Sequence, residues 1–219
     1  MKRRSVAFGN YITGDYGWTV TGIALSAPEQ KTNYVDKVGG DGSWDLSTVT
    51  TDGIPRYKNR SLTVTMELSA GSRDNRECII NKMVRDLDGQ TKQIVLPDRP
   101  EYYLVGRIHT AVTYSDLAHA AVTITANVEP WFYNSRESRV ELGVTETAAT
   151  AHIYNHGGRT VVPMLSVIND VTVKIGDAET KLETGFYKWP ALILPPGLTS
   201  IGYFGNGILV LTYREAVLR

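Results

Sequence analysis

The chain has a single cysteine in 219 residues, Cys78. That excludes an internal disulfide and any thiolate cluster around zinc. A lone thiol becomes a nucleophile only with a histidine base beside it, and sequence position alone shows none for Cys78, so we read it as inert. No apolar run approaches the roughly 18 residues of a membrane span, and no apolar segment follows Met1 to form a secretory signal. Charge of one sign is lacking as well. With 23 Lys plus Arg against 23 Asp plus Glu, no overall field draws the chain to nucleic acid or to an anionic membrane. The short "KRR" at 2–4 does not overturn that balance and reads as a solvated N-terminus. These absences predict a protein made and assembled in the cytoplasm, without a membrane.

Catalytic signatures are missing too. There is no GxSxG nucleophile elbow and no GK[ST] phosphate cradle. His152 and His156 stand four apart, but "TAHIYNHGG" reads as a strand entering a glycine turn, where that spacing does not make a metal pair. "GGDGSWD" offers Asp41 and Asp45 among glycines, yet the later acidic ligands of a calcium loop are absent. Gly39, Gly40 and Gly42 there suit a tight reversal of the chain. No carboxylate pair stands out for glycoside cleavage, so we expect no enzyme, no cofactor and no metal. Trp44, Trp131 and Trp189 could stack on sugars, although core or interface anchoring is the commoner use of tryptophan.

What remains is a β-rich globular chain. At 42% hydrophobic and 21% charged residues it can bury a sizeable core, removing roughly 70% of its unfolded surface from water. Period-two alternation predicts strands in "RSLTVTMEL", with Leu62, Val64, Met66 and Leu68 on one face, and in "AVTITANV", with Val122, Ile124, Ala126 and Val128 on one face. One helix is expected over about 72–88. Ser72 or Asp74 can cap its start, Ile79, Ile80, Met83, Val84 and Leu87 form its apolar stripe, and Gly89 stops it. Cys78 lies off that stripe. "RPEYYLVGRI", residues 99–108, reads as a strand entered through Pro100 and continued into "RIHTAVTY".

Two features set the organisation. Between residues 26 and 60 the alternation dissolves into a Gly-, Asp-, Thr- and Ser-rich stretch with isolated Tyr34, Val35, Val38, Trp44 and Leu46. So long an irregular connection is uncommon unless it is functional, and we read it as an extended arm or hairpin. Near residue 130 "NVEPWFYNSRES" breaks the strand pattern, which predicts a linker near 133–139 and two domains, 1–133 and 134–219. The first is α+β with a dominant sheet. The second is all-β, with strands expected at "RVELGV", "TAHIYN", "VVPMLSVI", "DVTVKIG", "ALILPPG", "LTSIGYFG" and "GILVLTYR", a β-sandwich pattern.

The order of these elements resembles a known family. "VGGDGSWDLS", "YKNRSLTVTMEL", a helix, "PEYYLVGRI" and "VTITANVEPWFY" look like the N-terminal domain of the distal tail proteins of long, flexible-tailed (siphovirus) bacteriophages. "VVPMLSVIND" and "LPPGLTSIGYFGNGILVLTYREAVL" resemble their C-terminal domain, so the resemblance covers nearly the whole chain. It implies a mainly β fold, a tail-tube-like sandwich or barrel with one helix and a belt arm at about 28–47, followed by a galectin-like sandwich. It also implies a structural virion protein: a homo-hexameric ring at the distal end of the tail tube. Its partners would be the tube protein, the tape measure protein and the tail tip or tail-associated lysin protein, with DNA only in passage. By position, the arm with Gly40, Asp41, Gly42, Asp45 and Leu46 resembles the belt that reaches over the neighbouring subunit. Tyr34, Val35, Val38 and Trp44 would be its anchors, and Tyr57, Asn59 and Arg60 open the strand after it. The competing classes are a carbohydrate-binding module acting in host adsorption and, less well supported, a cell-wall hydrolase. The second half is too short for large carbohydrate-binding insertions.

Overall fold

A computed structural model describes residues 4–49, 53–69, 72–114 and 119–218. Lys2 and Arg3 of the basic N-terminal triplet lie outside the described residues. The chain divides into two compact units, Met1–Pro130 and Trp131–Arg219.

The first unit contains β1 (Ala7–Phe8), β2 (Tyr11–Ile12), a 3-10 turn (Thr13–Tyr16), β3 (Thr19–Leu25), β4 (Tyr34–Asp36), β5 (Ser43–Asp45), β6 (Arg60–Leu68), α1 (Arg73–Leu87), β7 (Thr91–Val95), β8 (Tyr102–Tyr114) and β9 (Ala120–Val128). Seven of these strands form one antiparallel sheet in the order β2-β1-β7-β8-β9-β6-β3. The alternation in sequence sets its two faces. Leu62, Val64, Met66 and Leu68 on β6 are buried, and in register beside them Val122, Ile124, Ala126 and Val128 on β9 are buried too. A slip of one residue would turn all eight to water, at about 1.5 to 3 kcal/mol for each large one, so the pattern dictates the pairing.

The helix begins at Ser72, whose hydroxyl accepts from the Asn75 N–H at 3.2 Å. It turns Ile80, Met83 and Leu87 inward and leaves Cys78 exposed. It stops where Gly89 takes a left-handed φ of 72°. Gly89 and Gln90 then pair with Ile108 of β8 and lead into β7. On β8 the even positions Leu104, Gly106, Ile108 and Thr110 are buried, so the tyrosine-rich stretch is a central strand of this sheet. Gly106 belongs there because a Cβ would lie 2.7 Å from the Asn127 carbonyl and 2.8 Å from the Val128 Cα.

The second unit is a sandwich of two four-stranded antiparallel sheets. It contains β10 (Phe132–Asn134), β11 (Ser138–Val144), β12 (Ala149–Asn155), β13 (Met164–Ile168), β14 (Val171–Ile175), β15 (Ala178–Leu182), β16 (Gly185–Tyr187), β17 (Gly197–Gly205), β18 (Gly207–Tyr213) and β19 (Ala216–Val217). The sheets run β11-β18-β13-β16 and β12-β17-β14-β15. Between them lie Ile153, Leu165, Val167, Val171, Val173, Leu192, Leu194, Ile201, Leu209 and Leu211.

Three details differ from the sequence reading. "ALILPPG" is not a strand. Leu192 N–H closes a turn onto the Trp189 carbonyl, Pro195 and Pro196 have no N–H to give, and only Leu194 forms a bridge, to Val161. Its leucines are nevertheless fully buried, plugging the sandwich from a loop. The strands β15 and β16 went unread because in "AETKL" and "GFY" only Leu182 is buried. The polar residues 134–137, expected to be a linker, are held by Arg214, which donates to the carbonyls of Asn134 (2.7 Å) and Ser135 (3.0 Å) and pairs with Glu137 at 2.8 Å. The compact units part at Pro130, and Phe132 and Tyr133 pair with Val217 and Ala216.

Candidate assembly interface

Residues 26–46 are exposed without interruption, in a unit whose sheet and helix otherwise bury one face. They form a two-stranded ribbon. Its base is laced to the start of β6: Gln30 bridges Tyr57, Lys31 N–H donates to the Arg56 carbonyl (2.7 Å), and Lys58 N–H donates to the Glu29 carbonyl (2.8 Å) with Lys58 and Glu29 also ion-paired. Arg60, itself buried, donates through Nε to the Ser26 carbonyl at 2.7 Å and fixes the root. Asn59 leads into this residue, so the root is built where the sequence placed the start of the strand.

Farther out, β4 and β5 pair Tyr34 with Asp45, Val35 with Trp44 and Asp36 with Ser43. Directly opposed residues share a face. One face therefore carries Val35 and Trp44, with the Lys37 ammonium 5.0 Å from the Trp44 ring centroid. The other carries Tyr34, Asp36 and Asp45. Asp45 accepts from the Ser47 N–H at 2.9 Å, and that residue's hydroxyl in turn accepts from the Asn33 N–H. Hydrogen bonding from Ser47, first by side chain and then by backbone, with a smaller contribution from Tyr34, holds the Asp45 carboxyl below the usual carboxylate range. The ribbon reverses at Gly39 and Gly42, both at left-handed φ (73° and 80°), which frees Gly40 and Asp41 to stand at the tip. Tyr34 is 60% exposed, Trp44 61% and Val38 wholly so, with Val35 and Leu46 less open. All nine arm residues singled out in the sequence lie on this one ribbon.

The histidines and aspartates weighed in the sequence for metal binding have neighbours of their own. Among the described residues no group of three or more His, Cys, Asp or Glu could hold a metal ion. His152 Nδ1 lies 2.9 Å from the Ser200 hydroxyl on the neighbouring strand, and the His156 ring rests against Tyr154. Asp41 and Asp45 occupy the tip and neck of the arm, where Asp45 is engaged in capping.

One feature escaped the sequence reading. A cleft of about 650 Å³ opens between the C-terminal half of α1, the β1–β2 turn and β7, lined by Tyr11, Tyr16, Lys82, Arg85, Asp86 and Lys92 among others. The Tyr11 and Tyr16 rings stack at 4.4 Å. Lys82 and Arg85 both pair with Asp86, which lowers that carboxyl's pKa and raises the Lys82 ammonium's. The only sequence signal was the i, i+4 pair Lys82 and Asp86, because β1, the 3-10 turn and β7 join it solely through the fold.

No protein-family model matches this sequence, and no curated protein matches it. Among solved structures the chain is similar to the SPP1 Dit (gp 19.1) protein, described as a paradigm of the hub adsorption apparatus in phages that infect Gram-positive bacteria. The TM-score is 0.70 at 14% identity, over 97% of this chain and 99% of that one. At that identity the likeness is one of fold, and the fold is shared across both units. The mainly β architecture read from the residues is therefore the architecture of that solved structure.

Proposed function

We propose that this chain is a structural protein of a phage tail, which assembles as a six-membered ring at the distal end of the tail tube. In this reading the ring joins the tube and the tape measure protein to a tail tip or lysin component, without catalysis. The observation that carries the reading is the arm. A closed ring needs a heterologous contact, in which one patch of each copy meets a different patch of the next. A ribbon of 21 exposed residues, bearing Tyr34, Val35, Val38, Trp44 and Leu46, supplies one such patch. From Gln30 to Gly40 it can extend about 33 Å at 3.3 Å per residue, enough to cross onto a neighbouring domain. The shared fold with a hub protein over nearly the whole chain supports the same role.

A tail hub must also let DNA pass without gripping it. Along the middle of the outward face of β6, β9 and β8 the rows join Thr63 to Thr125 and Thr65 to Thr123 and Ala111, which suits such a wall. Those hydroxyls and methyls offer phosphates no counter-charge, while the same face carries Glu67 at one side and Arg107 and His109 on β8. Removing residues 33–46 is expected to leave a folded monomer that forms no ring by light scattering or negative-stain imaging. Intact rings from that deletion would overturn the role given to the arm.

A further inference from the structure

We propose that the acidic face of one copy's arm docks in the cationic cleft between α1 and the β1–β2 turn of the next copy. This rests on the ring reading above and names the surface that receives the arm. The two surfaces match in charge and in aromatic chemistry. Along residues 34–46 the arm carries Asp36, Asp41 and Asp45 against Lys37, a net charge of −2. The cleft carries Lys82, Arg85 and Lys92 against Asp86, a net charge of +2. Lys37 is engaged over the Trp44 ring, on the opposite face from Asp36 and Asp45, so the acidic face presents these two carboxylates without it, each also accepting a hydrogen bond within the ribbon, from Ser43 (2.7 Å) and Ser47 (2.9 Å). Tyr34 stands on that same acidic face, 60% exposed, and the cleft offers the half-buried Tyr16 ring, stacked on the buried Tyr11, with the Lys82 ammonium 5.6 Å from the Tyr16 centroid. A tyrosine approaching there meets both an aromatic edge and a cation.

Within one chain the arm is exposed along its whole length, so it does not fill its own cleft. The cleft and the arm are then the two unlike halves of a contact that closes only between copies. Charge complementarity of this kind sets register and speeds encounter. Six arms laid in six clefts would satisfy every arm and leave no cleft open.

The test is a charge swap. Asp36→Lys with Asp41→Lys reverses the arm and spares the Asp45 cap; Lys82→Glu with Lys92→Glu reverses the cleft. Each double variant is expected to need a roughly tenfold to hundredfold higher concentration to form rings by sedimentation. The chain with all four changes is expected to return toward wild type. Thermal melting of each double variant verifies its fold, and should the cleft pair fail to melt cooperatively, Arg85→Gln with Lys92→Gln replaces it, with weaker assembly expected. Double variants that assemble like wild type would overturn this docking while leaving the ring standing. Folded doubles that stay dispersed in the four-change chain would overturn it also. A wild-type chain that forms no ring would instead strike the ring reading itself, and rings from the arm deletion would strike the role of the arm. If a short oligonucleotide binds the wild-type cleft and the arm variant assembles normally, the occupant is not a second copy and the proposal falls.

Discussion

Trp44→Ala is the most direct probe of the arm, because it should separate assembly from folding. A tryptophan offers about 250 Å² to water, and at 61% exposure about 150 Å² of Trp44 is open. Covering that area in a ring contributes at most about 4 kcal/mol at 25 cal/mol per Å², and about 2 kcal/mol after ordering costs. A ring of six makes six contacts in five association steps, so a loss of 2 kcal/mol per contact raises the concentration for half-assembly about 60-fold. Native mass spectrometry across a dilution series reads this shift. The monomer should meanwhile melt as wild type does, within about 0.5 kcal/mol, since in its own chain the side chain lies on the exposed ribbon beside Val35 and Lys37 and outside the core. Wild-type assembly in the variant would refute the anchoring role. A melting temperature lowered by several degrees would show instead that Trp44 belongs to the core.

Burial pushes the Tyr11 phenol up to about 12, against the opposing effect of the Trp18 indole N–H that donates to its oxygen at 2.9 Å. The folded state therefore favours the neutral phenol: its contribution is complete below pH 10 and is lost between pH 10 and 12, a change of about 2 to 3 kcal/mol. Tyr11→Phe should flatten that alkaline decline while costing about 1 to 2 kcal/mol at neutral pH for the orphaned indole N–H, and equal declines in both proteins would reject the assignment. In the second unit Asn155, 1% exposed, donates to the carbonyls of Arg159 and Leu194 at 2.9 Å each and accepts from the Gly157 N–H at 2.9 Å. Asn155→Ala should cost about 2 to 4 kcal/mol in denaturant unfolding, and a loss under 0.5 kcal/mol would show that water replaces it.

Legibility in the sequence followed contrast between faces. β6 and β9 could be read because apolar residues alternate with mostly Ser, Thr or Asn, and the helix could be read because its stripe and cap agree. The arm was visible through the failure of any period over residues 26–60, although its pairing of Val35 with Trp44 was not, since three residues a side carry no pattern. β15 and β16 were hidden by having one buried residue between them, while Leu192 and Leu194 mimicked a strand by being buried in a loop. The Arg214 clamp on residues 134–137 joins positions about eighty apart and the cationic cleft joins four elements. The clamp has no local signature and the cleft has only the Lys82–Asp86 pair, because charged side chains far apart in sequence are brought together only by the chain path.

Exposure of apolar residues does not by itself argue for a partner. Phe186, at 80%, and Leu198, at 62%, are as open as the arm residues, and isolated exposed hydrophobics are ordinary. The arm differs in its backbone. A ribbon with three paired residues per strand is marginal in water, and among the described residues this one is tied to its own unit by backbone hydrogen bonds at its laced root. In the proposed ring the surface that receives it would support its ordering. Arm ordering and ring closure would then be one transition, in which each copy orders the arm of another. Such coupling would make assembly steep in concentration, and would keep an apolar ribbon from finding unspecific partners before a matching cleft is at hand.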